Sequence, residues 1–108
     1  MATTPTPQAG RQDPVKVDPR HYTIELENNR VRVLRARYGP HEKSSMHAHP
    51  ALVGISLTDS RVRFTYPDGK TENAELKAGQ VLSYESVVHL PENLSDKPLE
   101  IVLVELKA

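Results

Sequence analysis

The chain has 108 residues, of which 37% are hydrophobic, and this size suits one compact domain. Its 14 Lys and Arg residues balance 14 Asp and Glu residues without forming a basic stripe, which argues against nucleic-acid binding. No apolar run could span a bilayer and no signal pattern opens the chain, so we expect no membrane association and a cytoplasmic location. Cysteine is absent, which excludes thiolate ligands and leaves His, Asp and Glu as candidate metal ligands.

Residues 1–19 form a predicted N-terminal tail that is rich in proline. This segment has little apolar content and no sustained hydrophobic period, so it cannot bury enough surface to offset the entropy of ordering it. We therefore expect residues 20–108 to form the folded domain.

Alternating apolar and polar residues predict short β-strands through most of this domain. The predicted strands cover residues 22–27, 30–38, 52–58, 61–66, 70–76, 81–84 and 99–106. Asp68-Gly69 predicts a tight hairpin turn, and no segment shows the period of a helix. About eight short strands separated by turns predict an all-β barrel or sandwich.

Two histidines stand two residues apart in the segment Met46-His47-Ala48-His49-Pro50. Side chains at positions i and i+2 of a strand project from the same face, so both imidazoles can reach one metal ion. The residues that follow at the same two-residue spacing are all apolar: Ala51, Val53, Ile55 and Leu57. If the strand continues unbroken, the two histidines therefore face the interior. His89, which lies far along the chain, is the candidate third ligand.

The remaining histidines have less support from the pattern. His41 is a possible fourth ligand if residues 40–45 form a regular strand, and a surface residue otherwise. His21 has no partner pattern and is interpreted as a surface residue. We expect Asn93 to stabilise its own turn through bonds from its side chain to the backbone.

With these motifs the sequence resembles a known family, the cupin superfamily. The segment 39–49, in which a glycine and a spacer precede the histidine pair, resembles the first cupin motif, and the segment 79–93, which contains the third histidine, resembles the second. Residues 93–99 resemble the turn that follows in small single-domain cupins. The resemblance covers about residues 21–106 and implies a double-stranded β-helix, or jelly-roll barrel, with a metal inside one end.

One departure from the cupin pattern concerns the metal ligands. The common pattern has a glutamate ligand three or four residues after the histidine pair, where this chain has Val53 and Gly54. The predicted set is therefore His47, His49 and His89 around one divalent transition metal, with an open coordination position. Imidazole ligands suit Fe²⁺, Zn²⁺, Ni²⁺ and Cu²⁺ alike, and we favour Fe²⁺ because some cupin dioxygenases use such a centre.

These features lead to a functional hypothesis and two alternatives. The hypothesis is a non-haem metal dioxygenase, an oxidoreductase that acts on a small organic substrate such as a β-diketone. The alternatives are a non-catalytic module that binds or senses a small ligand, and a metal-dependent isomerase or lyase. No catalytic base stands out, although Tyr84 and Glu85 lie near His89 in sequence.

Two further expectations concern the walls of the substrate cavity and the oligomeric state. The side chains expected to line the cavity are Val53, Ile55, Val62, Phe64 and Tyr66. We expect a homodimer, because small barrels commonly pair to protect edge strands and to bury more surface.

Overall fold

The computed structural model describes residues 12–108, so the first eleven residues of the predicted tail lie outside the described residues. Across residues 12–108 a short helix, α1, precedes nine strands. The elements are α1 (Pro14–Val17), β1 (Tyr22–Glu27), β2 (Val31–Tyr38), β3 (His47–His49), β4 (Leu52–Ser56), β5 (Ser60–Thr65), β6 (Thr71–Leu76), β7 (Val81–Tyr84), β8 (Val87–Asn93) and β9 (Leu99–Leu106). No helix in this described range is long and apolar enough to cross a membrane.

Two antiparallel sheets enclose the core. The first has the strand order β1-β2-β9-β4-β7, and the second has the order β3-β8-β5-β6. The buried side chains that pack together between the sheets are Tyr22, Leu34, Ala36, Tyr38, Val62, Phe64, Leu76 and Leu99. This arrangement is the all-β jelly-roll barrel that the resemblance to the cupins implied; the alternating pattern alone predicted a barrel or sandwich.

The hairpin between β5 and β6 forms where Asp68-Gly69 predicts it. Gly69 has a φ of 88°, in the left-handed region that glycine adopts without steric cost. Its N–H donates to the carbonyl of Tyr66 at 2.9 Å, and the N–H of Tyr66 donates to the carbonyl of Lys70 at 2.9 Å. The turn therefore fixes the register of the two strands.

The end of the predicted tail packs against the barrel. Asp13 caps α1 by accepting a hydrogen bond from the N–H of Val15 at 2.9 Å, and the proline that follows it occupies the first helical position. The N–H of Ala48, between two of the candidate ligands, donates to the carbonyl of Gln12 at 2.9 Å. Residues 12–18 thus make specific contacts with the barrel.

Strand β8 is the element that the alternating pattern missed. Pro91 lies inside it, and proline in a run argues against an ordinary strand because it has no N–H to donate. β8 nevertheless pairs with β3 through Val87 to His89 and with β5 through Leu90 to Asn93. This strand carries the third histidine, so its position decides whether the candidate ligands meet.

Two expectations about which side chains face inward are wrong. The strand that begins at the histidine pair is interrupted at Pro50-Ala51, and β4 resumes with the opposite parity, so that its buried residues are Leu52, Gly54 and Ser56. In β1 the alternation of Tyr22, Ile24 and Leu26 with polar residues predicts one buried face, but only Tyr22 is buried, whereas Ile24 and Leu26 are 44% and 52% exposed. The error in β4 follows from an interruption that changes the two-residue period.

Candidate metal centre

The three candidate ligands lie together inside one end of the barrel. His47 and His49 project inward from β3, where they are 0% and 2% exposed. His89 on β8 lies directly opposite His47 in the antiparallel pair. Each of the three offers a ligand atom, and these atoms lie within 4.8 Å of one another. Two separated stretches of the chain therefore converge on a common point.

The ring orientations suit a single ion held by three nitrogens. The ring centroids are 4.8 Å apart for His47 and His49, 4.9 Å for His47 and His89, and 5.3 Å for His49 and His89, and the planes are close to perpendicular. Phe64 stacks on His89 with a centroid separation of 5.2 Å and an interplanar angle of 13°. This contact fixes the plane of the third ring.

The hydrogen bonds at Nδ1 of His47 and His49 make Nε2 the candidate ligand atom of both rings, and the hydroxyl of Tyr22 is the neighbour of Nε2 in His47. Nδ1 of His47 lies 2.9 Å from the carbonyl oxygen of Ser45, which can only accept, so Nδ1 carries the proton. Nδ1 of His49 donates to the carboxylate of Glu105 at 2.6 Å by the same reasoning. Among residues 12–108, Nε2 of His89 is buried without a hydrogen-bond partner, which is a costly state for a polar atom that has no ligand.

Burial keeps the rings of His47 and His89 neutral. Loss of solvation, with a further effect from the neighbouring charge of His49, lowers the pKa of His47 to about 3. Loss of solvation also lowers the pKa of His89 to about 2, and the charges of the two nearby histidines act in the same direction. Neutral imidazoles present free lone pairs near pH 7 and are the form that binds a metal. The donor set therefore fits a divalent transition metal such as iron, zinc, nickel or copper.

A mainly apolar cavity of about 50 Å³ adjoins the histidines. It is lined by residues of both sheets, including His49, Leu52, Val62, Phe64, Leu82, Tyr84, His89 and Leu103. Val62 and Phe64 thus have the position that was expected of them. Val53, Ile55 and Tyr66 do not line the cavity; the change of parity at Pro50 places Leu52 and Gly54 there instead.

Two tyrosine hydroxyls bring polar groups to the histidine end of this cavity. The hydroxyl of Tyr22 lies 3.3 Å from Nε2 of His47 and 2.7 Å from the hydroxyl of Tyr38. Burial raises the pKa of Tyr22 well above its ordinary value, and burial also raises that of Tyr38. Both hydroxyls therefore remain protonated near pH 7 and can donate hydrogen bonds.

Glu105 is the residue of the site that sequence reasoning missed. It lies on β9, is buried, and accepts from His49 with one oxygen and from Arg32 with the other. A signal was present, since Leu99, Ile101 and Leu103 alternate inward along β9 and the next residue of that parity is the charged Glu105. A carboxylate in the inward register of an apolar strand indicates a specific partner.

The other histidines lie outside the group. His41 is exposed and lies 2.8 Å from a carboxylate oxygen of Asp96, so it is not a fourth ligand. The surface interpretation of His21 is wrong, because the ring is buried between Asp18 and Glu42, at 2.8 and 3.0 Å from their oxygens. Both acidic partners lie in loops, and a pattern that predicts strands does not indicate where loop residues lie.

Two further residues lie near His89 in the sequence. The side chain of Asn93 donates to the carbonyls of Gly39 and Lys97 and accepts from the N–H of Ser95, which confirms its structural role. Tyr84 lines the cavity, whereas Glu85 is exposed.

No protein-family model and no curated protein matches the chain, whereas solved structures do. A cupin domain from Bordetella pertussis Tohama I is 28% identical, with a TM-score of 0.75 over 81% of this chain and 92% of that one. A conserved protein with a double-stranded β-helix domain from Klebsiella pneumoniae is 22% identical, with a TM-score of 0.64 over 79% of this chain and 74% of that one.

An oxalate oxidase in complex with the substrate analogue glycolate is 17% identical, with a TM-score of 0.54. The match covers 68% of this chain and only 40% of the oxidase, and at this identity it shows a shared fold alone. The barrel topology and the match to the Bordetella domain together show that the chain has the double-stranded β-helix fold of the small single-domain cupins.

Proposed function

We propose that this cupin binds one divalent transition metal, Fe²⁺ in the cell, through Nε2 of His47, His49 and His89, and acts as a dioxygenase on a small enolisable substrate such as a β-diketone. The observation that carries the proposal is the group of three imidazole nitrogen donors at the end of an apolar cavity. No carboxylate belongs to that group among residues 12–108.

The charge of this donor set favours an anionic substrate. Three neutral imidazoles leave the ion its double positive charge, and the ion supplies Lewis-acid and redox chemistry when it is bound. An enolate that chelates through two oxygens would neutralise part of that charge. The hydroxyl of Tyr22, which Tyr38 positions, can donate a hydrogen bond to one such oxygen.

The cavity limits the size of the substrate. A volume of about 50 Å³ is a few times the roughly 10–15 Å³ that one water-sized probe needs. The apolar walls around it exclude water and favour a compact, mostly apolar molecule. Short diketones and their enolates satisfy both conditions.

A non-catalytic binding module is the second candidate, and one observation favours it. The hydroxyls of Tyr22 and Tyr38 have raised pKa values and therefore cannot accept a proton near pH 7. Neither tyrosine can therefore serve as a catalytic base. The two hydroxyls thus give no support to an isomerase or lyase, because such an enzyme needs a proton acceptor.

The test is oxygen consumption by protein reconstituted with one equivalent of Fe²⁺. A panel of short diketones, thiols and catechols is added aerobically, and we expect uptake of O₂ with a diketone. The variant His47→Ala should lose the metal and the uptake, whereas His41→Ala, which changes an exposed histidine, should keep both. Tight binding of a panel member without oxygen uptake would replace the proposal with the binding module. Metal retained at one per chain in His47→Ala would refute the ligand assignment.

A further inference from the structure

We infer that Glu105 gives the metal centre, through His49, the negative charge that its ligand set lacks, and that Arg32 and Asp13 hold Glu105 in this role. The inference rests on the proposed metal binding but not on the proposed reaction. It assigns Glu105, Arg32 and Asp13 as positioning residues, since none of them belongs to the three-histidine group.

Both oxygens of the Glu105 carboxylate accept hydrogen bonds. Oε2 accepts the hydrogen bond from Nδ1 of His49 at 2.6 Å, and Oε1 accepts from Nε of Arg32 at 2.9 Å, with Nη2 at 2.8 Å. The residue is 2% exposed, so water does not compete for these oxygens. In such surroundings hydrogen bonds to charged groups are strong, and the geometry is fixed.

Asp13 completes the row of charges at its outer end. Its two oxygens accept from Nη1 and Nη2 of Arg32 at 2.8 and 3.0 Å. The guanidinium is thus held between two carboxylates, and the row runs Asp13, Arg32, Glu105 and then the imidazole of His49. Because the two acids outnumber the one base, the row adds one net negative charge beside the metal centre.

The consequence for the metal follows from the bond to Nδ1. A ligand histidine whose second nitrogen donates to a carboxylate is held in one tautomer and is a more basic ligand. His47 instead donates to the neutral carbonyl of Ser45, so the two histidines of β3 are unequal donors. We expect His49 to bind the metal more strongly than a histidine without such a partner.

The fold supplies this charge from the last strand. Glu105 lies opposite Leu52 in the β4–β9 pair, beside the positions of Val53 and Gly54, which have no side chain that can bind a metal. The carboxylate of Glu105 on β9 therefore acts on the metal centre indirectly, through His49. The neighbouring strand β4 has no carboxylate at the positions of Val53 and Gly54.

The test compares Glu105→Gln with Glu100→Gln in the full chain. Both glutamates lie on β9 and bond to an arginine of β2, but Glu100 bonds to Arg35 at 2.6 Å on the outer face. Affinity for Co²⁺ is measured by competition with a chelator, and the visible spectrum of the bound Co²⁺ is recorded. We expect Glu105→Gln to lower the affinity about 10- to 100-fold and to shift the spectrum. We expect Glu100→Gln to leave both unchanged.

Asp13→Asn is the second variant and serves if Glu105→Gln does not fold. Asparagine is also a good N-cap, so α1 is preserved while the bond to Arg32 loses its charge. A smaller fall in Co²⁺ affinity is expected. If Glu105→Gln folds and keeps the wild-type Co²⁺ affinity and spectrum, the inference is overturned while metal binding stands. If only Asp13→Asn folds, the same result in that variant overturns the inference. Failure of the wild-type protein to bind Co²⁺ would overturn both.

Discussion

Acidification of the metal-free protein is expected to destabilise the barrel through His47 and His89. The folded-state pKa values of these histidines are about 3 and about 2, whereas their unperturbed value is 6.5. Between these values the unfolded chain binds protons that the folded chain does not bind. The free energy of unfolding therefore falls as the pH falls, with the full contribution present above about pH 6.5.

The size of the effect at pH 5 depends mainly on the unfolded state, because both folded-state values lie well below 5. One pKa unit corresponds to about 1.4 kcal/mol, and pH 5 is about 1.5 units below the unperturbed value, so each histidine costs about 2 kcal/mol. The two together remove about 4 kcal/mol from a total that is about 5–15 kcal/mol for a typical domain.

Urea unfolding followed by far-ultraviolet circular dichroism measures this change. The protein is kept in EDTA and unfolded at pH 7 and at pH 5. The double variant His47→Gln/His89→Gln serves as the control, since every other titrating group is unchanged. Its stability should change between the two pH values by about 4 kcal/mol less than that of the wild type. An equal change in both proteins would refute the assignment of buried neutral rings.

Three further predictions concern the surroundings of the site and the assembly. Phe64→Leu removes the ring that stacks on His89 and should lower the free energy of unfolding by about 1 kcal/mol in urea; an unchanged value would contradict the stacking role. Tyr22→Phe removes the hydrogen bond between the hydroxyls of Tyr22 and Tyr38, so we expect a loss of about 1 kcal/mol in the free energy of unfolding, while elemental analysis still finds one zinc per chain. Leu106 is 45% exposed on the outer face of the first sheet, and we expect Leu106→Lys to convert a homodimer into a 12.1 kDa monomer in light scattering. A wild-type species that already has the monomer mass would contradict the dimer.

The sequence by itself determined the features that depend on neighbouring residues. Alternation of apolar and polar residues predicted most of the strands, and Asp68-Gly69 predicted the hairpin, because both signals arise within a few residues. The spacing of His47 and His49 placed the two rings on one face for the same reason. The absence of cysteine limited the candidate ligands from composition alone.

The tertiary structure decided everything that depends on register between distant strands. The pairing of His47 with His89 required β8, whose proline conceals it from the strand pattern. Leu52 and Gly54 line the cavity in place of Val53 and Ile55, because the break at Pro50 moves the side chains that follow in β4 to the other face.

The charge around the metal centre was likewise a tertiary property. Glu105 lies 56 residues after His49, and their contact at 2.6 Å exists only because β9 and β3 are brought together at the same end of the barrel. Burial of His47 and His89, which keeps these two rings neutral, depends in the same way on both sheets closing over them. Local sequence could identify the donors, but only the closed barrel sets their distances, their solvation and the carboxylate behind them.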